Sequence, residues 1–251
     1  MTRSLPAVAD YVAERIRRPP PQDSSVVPGS TPVIAFGDPN TSRVATLGLN
    51  PSRAEFLSPA GRLLDGDRRF ETLTSLGIEN LADATDQQVA RVWEGCRMYF
   101  QKNPYRRWFD QLERILTGVR ASYYSGSACH LDLVQWATDP VWRRLNAQAI
   151  ARLMSDDVAF LRRQLMTSPI ELVLLNGRRV LNEFQLALNN RLEVQAGLLM
   201  AGATSTSLYT GTLPSGARVI GWSVNLQSSY GITKELRMRL TERVGALASE
   251  S

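Results

Sequence analysis

Short apolar runs rich in β-branched residues alternate along this chain with longer stretches of helical periodicity. The strand candidates are 33–36, 43–49, 127–134, 171–176, 206–212 and 217–224. The helix candidates are 4–18, 68–77, 86–100, 105–117, 141–165, 178–190 and 233–248. Strands separated by helices predict an α/β fold whose sheet is mainly parallel with right-handed crossovers. The four runs at 43–49, 127–134, 171–176 and 218–224 form the expected parallel core. The run at 206–213 is its expected hairpin partner, with Pro214-Ser215-Gly216 as the turn. Ahead of this core, Val8, Tyr11, Val12 and Ile16 share one face of a short helix that Pro19-Pro20-Pro21 ends. Residues 1–31 therefore read as an N-terminal helix and Pro-rich connector. Residues 32–251 read as the main domain, with a helical insertion at about 78–120.

Composition narrows the chemistry. Twenty-nine basic against 24 acidic residues leave a net charge of +5, which favours nucleic acid as a partner. Two cysteines, Cys96 and Cys129, with no CxxC, exclude a four-thiolate zinc or iron–sulfur site. Free thiols suit a reducing cytoplasm. Asp10, Glu14 and Arg15 interrupt the only apolar stretch near the N-terminus, so no secretory leader is expected, and no run reaches membrane-spanning length. GxSxG, GxxxxGK[ST] and GxGxxG are all missing, which weighs against an α/β-hydrolase or a nucleotide-binding protein.

Each core strand closes on polar residues. The first runs into Gly48-Leu49-Asn50-Pro51-Ser52, and the second carries His130 and Asp132. The third closes on Asn176-Gly177-Arg178, and the fourth enters Asn225-Leu226-Gln227-Ser228-Ser229-Tyr230-Gly231. In open α/β sheets ligands bind beyond the carboxyl ends of the strands, so these four ends are the expected site.

These motifs resemble the uracil-DNA glycosylase superfamily, in particular its mismatch-specific and thymine-DNA glycosylase branch. The family's Gly-x-Asn-Pro-Gly stands here as Gly48-Leu49-Asn50-Pro51-Ser52, with the last glycine replaced. Arg69-Phe70-Glu71 is similar to the Asn-Arg-Phe-Trp that opens a family helix. Leu172-Val173-Leu174-Leu175-Asn176-Gly177 is similar to its third strand. Gln227-Ser228-Ser229-Tyr230-Gly231-Ile232 stands where the family has a His-Pro-Ser or Asn-Pro-Ser loop, and lacks both the His and the Pro. The resemblance covers about residues 40–240. It implies a three-layer α/β/α sandwich around a four-stranded parallel sheet. It also implies hydrolysis of the N-glycosidic bond of a base flipped out of DNA, without metal or organic cofactor, by a protein expected to be a monomer.

The residues then take expected roles. Asn50 is too weakly basic to accept a proton, but its carbonyl oxygen can orient the attacking water. Gly48, Leu49, Pro51 and Ser52 shape the turn around it. Gln227 or Asn225 replaces the family histidine as donor to the leaving base. Asn176 completes the pocket. A flipped base needs an aromatic to stack on, and Phe56 or Phe70 is the candidate. Ser228, Ser229, Gly231 and Arg178 are expected on phosphates, and Tyr230 or Ile232 as the wedge in the vacated stack. Asp132 matches a position at which uracil-cleaving relatives carry Asn. A carboxylate only accepts hydrogen bonds, so it repels uracil O4 and welcomes a cytosine amine. His130, two residues before it on the same strand face, is a second base contact. Plain cytosine is an untenable target in a cell's own DNA, so a hydroxymethylated or glucosylated cytosine of phage DNA is the expected substrate. The alternatives are uracil or mismatched-thymine repair, or a DNA-binding or modified-base-binding module without catalysis.

Overall fold

The apolar runs form strands where the alternation predicts them. In chain order these are β1 (Val44–Gly48), β2 (Ala128–Asp132), β3 (Leu172–Asn176), β4 (Glu193–Val194), β5 (Leu199–Ala201), β6 (Thr204–Thr206), β7 (Leu208–Thr212) and β8 (Arg218–Trp222). The computed structural model describes residues 7–66, 68–227 and 232–250. The helices are α1 (Asp10–Arg17), α2 (Leu73–Leu76), α3 (Asp86–Arg97), α4 (Arg106–Leu116), α5 (Ala147–Thr167), α6 (Arg178–Leu188) and α7 (Lys234–Ser249). The chain is therefore α/β. Its main sheet is mixed and six-stranded, in the order β2-β1-β3-β8-β7-β4. β1 pairs in parallel with β3, and β3 with β8, whereas β7 runs antiparallel to β8 and β4 antiparallel to β7. In place of the expected four-stranded sheet there are six strands, two of which, β7 and β4, run antiparallel to their neighbours. β5 and β6 form a separate two-stranded ribbon.

Two compact units make up the chain. One comprises Met1–Gly37, Leu49–Pro104 and Asp132–Arg163, and the other Asp38–Gly48, Tyr105–Leu131 and Gln164–Ser251.

The second unit holds the main sheet except Asp132, the last residue of β2. β3 is buried along its whole length, as its unbroken Leu/Val run requires of a parallel strand covered on both faces. The hairpin turn after β7 closes as the sequence predicts, with Leu213 N donating to Ala217 O at 2.8 Å. Thr233 caps α7 by accepting from Leu236 N at 3.0 Å. Where α7 passes residues 117–119, a Cβ on Gly245 would sit 2.5 Å from Gly118 O, so glycine is required for that approach.

The first unit holds α1, α2, α3 and the greater part of α5. Residues 19–31 do not hang free: Val27 N donates to Ala137 O, and Val26 bridges Thr138. Two expected elements differ. Residues 33–36 are buried but belong to no strand; Val33 N donates instead to Gln135 O at 2.7 Å. The helix expected over 68–77 is a single turn, α2. Thr72 caps it through a reciprocal bond with Ser75, and Gly77 closes it in the left-handed conformation (φ +69°), so apolar spacing outside these signals does not propagate. Arg69, Phe70 and Glu71 precede the helix rather than open it.

Candidate active site

Asn50 lies two residues beyond β1, in the first unit. Its Nδ2 donates to Trp136 O at 3.1 Å, Thr138 Oγ1 at 3.1 Å and Pro51 O at 3.2 Å. Carbonyl oxygens only accept, so this contact set fixes which end of the amide faces inward. The amide nitrogen is fully engaged, and Oδ1 accepts from no described residue. Leu49 is held in the same way, its carbonyl accepting from Val134 N at 3.0 Å. Residues 133–138 thus form an extended strip that grips the Asn-Pro turn from the side.

That strip is itself anchored by a buried ion pair. Arg15 of α1 donates from Nη2 to Asp157 Oδ1 of α5 at 2.6 Å, with both side chains 1 % exposed. Asp157 Oδ2 accepts from Gln135 N at 2.7 Å, and Arg15 Nε donates to Gln135 Oε1 at 3.2 Å. Gln135 Nε2 in turn donates to the carbonyl of Asp132 at 3.0 Å. The Arg15 guanidinium also lies 5.1 Å from the Trp136 ring centroid. Burial lowers the Arg15 pKa and raises that of Asp157, because each charge has lost its water; the partner charge opposes both shifts.

Ser52 caps the turn that follows, accepting from Ala54 N at 3.2 Å. The turn Arg53–Glu55 delivers Glu55 into the interior, where it is 2 % exposed. Glu55 Oε2 accepts from Arg69 Nη1 at 3.1 Å and from Tyr99 OH at 3.0 Å. Arg69 Nη1 also donates to Ala54 O at 3.0 Å, so one guanidinium binds both backbone and side chain of the turn. Burial raises the Glu55 carboxyl to about 7; Arg69 and the Tyr99 hydroxyl oppose the rise, and Asp132 adds to it. Asp132 ends β2 and is 5 % exposed.

Phe56 and Phe70 are core residues. Phe56 is fully buried and stacks on Phe70 at 5.6 Å; Tyr99 also stacks on Phe70, at 5.1 Å and 10°. Phe70 is thus packed among Phe36, Phe56 and Tyr99 and is 3 % exposed. His130, in the second unit, is also interior. Its Nδ1 lies 2.6 Å from Thr46 Oγ1 on β1, and its ring meets Phe109 edge-on at 5.3 Å. Thr46 Oγ1 is bonded to the buried Tyr123 hydroxyl as well. The histidine thus pins two strands together.

Asn176, at the end of β3, is the hub of a separate network in the second unit. Its Oδ1 accepts from Trp222 Nε1 at 2.8 Å and Leu226 N at 3.0 Å. Its Nδ2 donates to Asn225 Oδ1 at 3.1 Å and Gln227 Oε1 at 2.9 Å. Gln227 Nε2 reaches Trp108 O at 3.4 Å, so both ends of that side chain are engaged. Asn225 Oδ1 also accepts from Gln227 N at 3.0 Å, and its exposed side chain keeps Nδ2 without a described protein acceptor. Gly177 follows Asn176 at φ +99°, and a Cβ there would lie 3.2 Å from that of Asn225, so only glycine lets the two loops close. Arg178 is exposed at the first position of α6, and Ile232 is half-buried just before the α7 cap. Ser228, Ser229, Tyr230 and Gly231 lie outside the described residues.

A cavity of about 1080 Å³ in the second unit lies at the amino ends of β1, β3 and β8, lined by Arg43, Glu171 and Arg218 among others. It is at the opposite strand end from Asn176. Cys96 and Cys129 are buried, and burial pushes their thiols up to about 11 and about 12, so neither is a thiolate nucleophile at neutral pH. Among the described residues no group of three or more His, Cys, Asp or Glu is placed to hold a metal, and no helix is long and apolar enough to cross a membrane.

The sequence motifs single out Asn50 and Asp132 and do not single out Glu55, which is buried with Arg69 and Tyr99 as its partners. A lone acid beside an Asn-Pro turn reads as solvated surface; only the fold reveals its burial. No protein-family model matches this chain, and no curated protein matches it.

Proposed function

We propose that this chain is a monofunctional DNA glycosylase that hydrolyses the N-glycosidic bond of a flipped-out base and leaves an abasic site. The observation that carries the reading is the fixed amide of Asn50. Its nitrogen is held by Trp136 O, Thr138 Oγ1 and Pro51 O, which leaves the carbonyl oxygen to accept from a water aimed at the anomeric carbon. On this reading the strand run β2-β1-β3-β8 of the six-stranded sheet stands for the four-stranded core that the resemblance to uracil-DNA glycosylases implies. A three-layer α/β/α arrangement belongs to the same reading.

The substrate is a modified cytosine, hydroxymethylated or glucosylated, in foreign DNA. Asp132 supports this choice because an ionised carboxylate accepts from the exocyclic amine of cytosine and has no proton for uracil O4. In the second unit, Asn225 Nδ2 has no described protein acceptor, whereas Gln227 is engaged by Asn176 and Trp108. Arg178 is the phosphate contact among the described residues of that region.

The test is single-turnover incubation with duplex and single-stranded DNAs carrying uracil, mismatched thymine, cytosine, 5-hydroxymethylcytosine or its glucosylated form. Freed bases are identified by mass and abasic sites by alkaline cleavage. Release of the modified cytosine alone, lost in Asn50→Ala, is the expected result. Release of uracil or thymine instead points to repair. Tight DNA binding without release points to a binding module.

A further inference from the structure

The turn that carries Asn50 lacks a group able to take a proton from the water it holds, because an amide is not basic. Glu55 is a buried acid on the short helical turn that Ser52 caps directly after Asn50-Pro51. Its two oxygens are treated unequally. Oε2 is saturated by Arg69 Nη1 and the Tyr99 hydroxyl, and Oε1 accepts from no described residue. One oxygen held by two donors fixes the plane of the carboxylate, and the other is left to receive a proton. Arg69 adds rigidity by holding Ala54 O with the same nitrogen, and Arg53 is fastened to Asp139 at 2.6 Å. Ser52 and Arg69 therefore fix both the backbone and the side chain of this acid.

On the glycosylase reading above, we propose that Glu55 is the general base of the reaction, with Asn50 orienting the water. A proton passes from the water to Glu55 Oε1 as the water oxygen bonds to the anomeric carbon. The C–N bond breaks, and its electron pair leaves with the base. The base then takes a proton from solvent, and Glu55 returns its own to solvent, so atoms and charge balance over the cycle. The charged and titratable groups facing Glu55 are Arg69, Tyr99 and Asp132, and together with burial they hold its carboxyl at about 7, within the working range of a base at neutral pH.

The deciding experiment is single-turnover base release from modified-cytosine DNA between pH 5.5 and 9. It compares the wild type with Glu55→Gln, Glu55→Asp and Tyr99→Phe, alongside melting of each variant. Wild-type release should rise with pH through an inflection near 7. Glu55→Gln should lower the plateau by at least ~100-fold, and Glu55→Asp should keep part of it. Tyr99→Phe removes a donor to the ionised carboxylate, so the inflection should move to higher pH. A purely structural acid would instead lower the melting point of all three variants and leave the inflection in place. Active wild type with an unaltered pH profile in Glu55→Gln and Tyr99→Phe overturns the general base and spares the glycosylase. If the wild type releases no base from any DNA, both the glycosylase and the general base fall.

Discussion

Two asparagines follow or end neighbouring strands of this sheet, one in each unit, and they are used in opposite ways. Asn176 makes four hydrogen bonds, two through each end of its amide, all to protein. Asn50 makes three, all through nitrogen. The first is consumed in joining β3 to the loop after β8. The second is fixed in direction and still has an acceptor to offer. Polarity at a strand end therefore marks a place where the chain needs an amide, and only the count of satisfied atoms separates a rivet from a reagent.

The largest effect should come from the support beneath Asn50. Asp157→Ala leaves the Arg15 charge buried alone and should cost about 3–5 kcal/mol in urea unfolding. Replacing both partners, Arg15→Met with Asp157→Leu, should restore most of that stability, since the desolvation cost disappears with the charges. Asn176→Ala comes next. It strands the buried Trp222 Nε1 and Leu226 N, and should cost about 2–4 kcal/mol. Asn50→Ala sharpens the contrast: base release should fall by about 100-fold, equivalent to about 2.7 kcal/mol of barrier, while stability drops by no more than about 1 kcal/mol. If Asn50→Ala is the more destabilising of the two asparagine variants, the contrast is broken.

A smaller effect concerns pH. The folded-state pKa of Glu55 is about 7 against an ordinary value of 4.5, so the native chain binds this proton more tightly than the unfolded chain. Its contribution is present in full below about 4.5 and is lost as pH rises through 7, so stability should decline by roughly 1–3 kcal/mol between pH 5 and 8. Glu55→Gln should flatten that slope in melting curves taken across this range. The smallest effect is expected at Asn225→Ala. The side chain is exposed and Asn176 keeps three other bonds, so urea unfolding should change by under about 0.5 kcal/mol.

Much of the sheet was legible. Apolar β-branched runs marked β1, β2, β3 and β8, and a Pro-Ser-Gly turn marked the β7–β8 hairpin, because burial and turn chemistry are both local signals. β4, β5 and β6 were missed: two or three residues carry too little periodicity to register. The run at 33–36 reads as a strand because burial alone makes it apolar, yet its backbone pairs with a loop. The site was legible only in part. Asn50 sits in a recognisable turn, but Phe56, Phe70 and His130 were assigned outward roles and lie inside. An aromatic or a histidine in a single sequence carries no mark of which neighbours will cover it. Glu55 was invisible for the same reason, since Arg69 and Tyr99, its partners, stand 14 and 44 residues away.

The two units alternate along the chain in six segments. No single cut can release either one as a continuous piece, and a clone expressing only a front or back portion would mix fragments of both. Removing the first 18 residues, a customary way to shorten a chain with a proline-rich leader, would leave Asp157 facing an empty socket where Arg15 had been. Dissection of this protein therefore has to proceed by point substitution, and a protease that nicks it once should yield two pieces that stay folded only while they stay together.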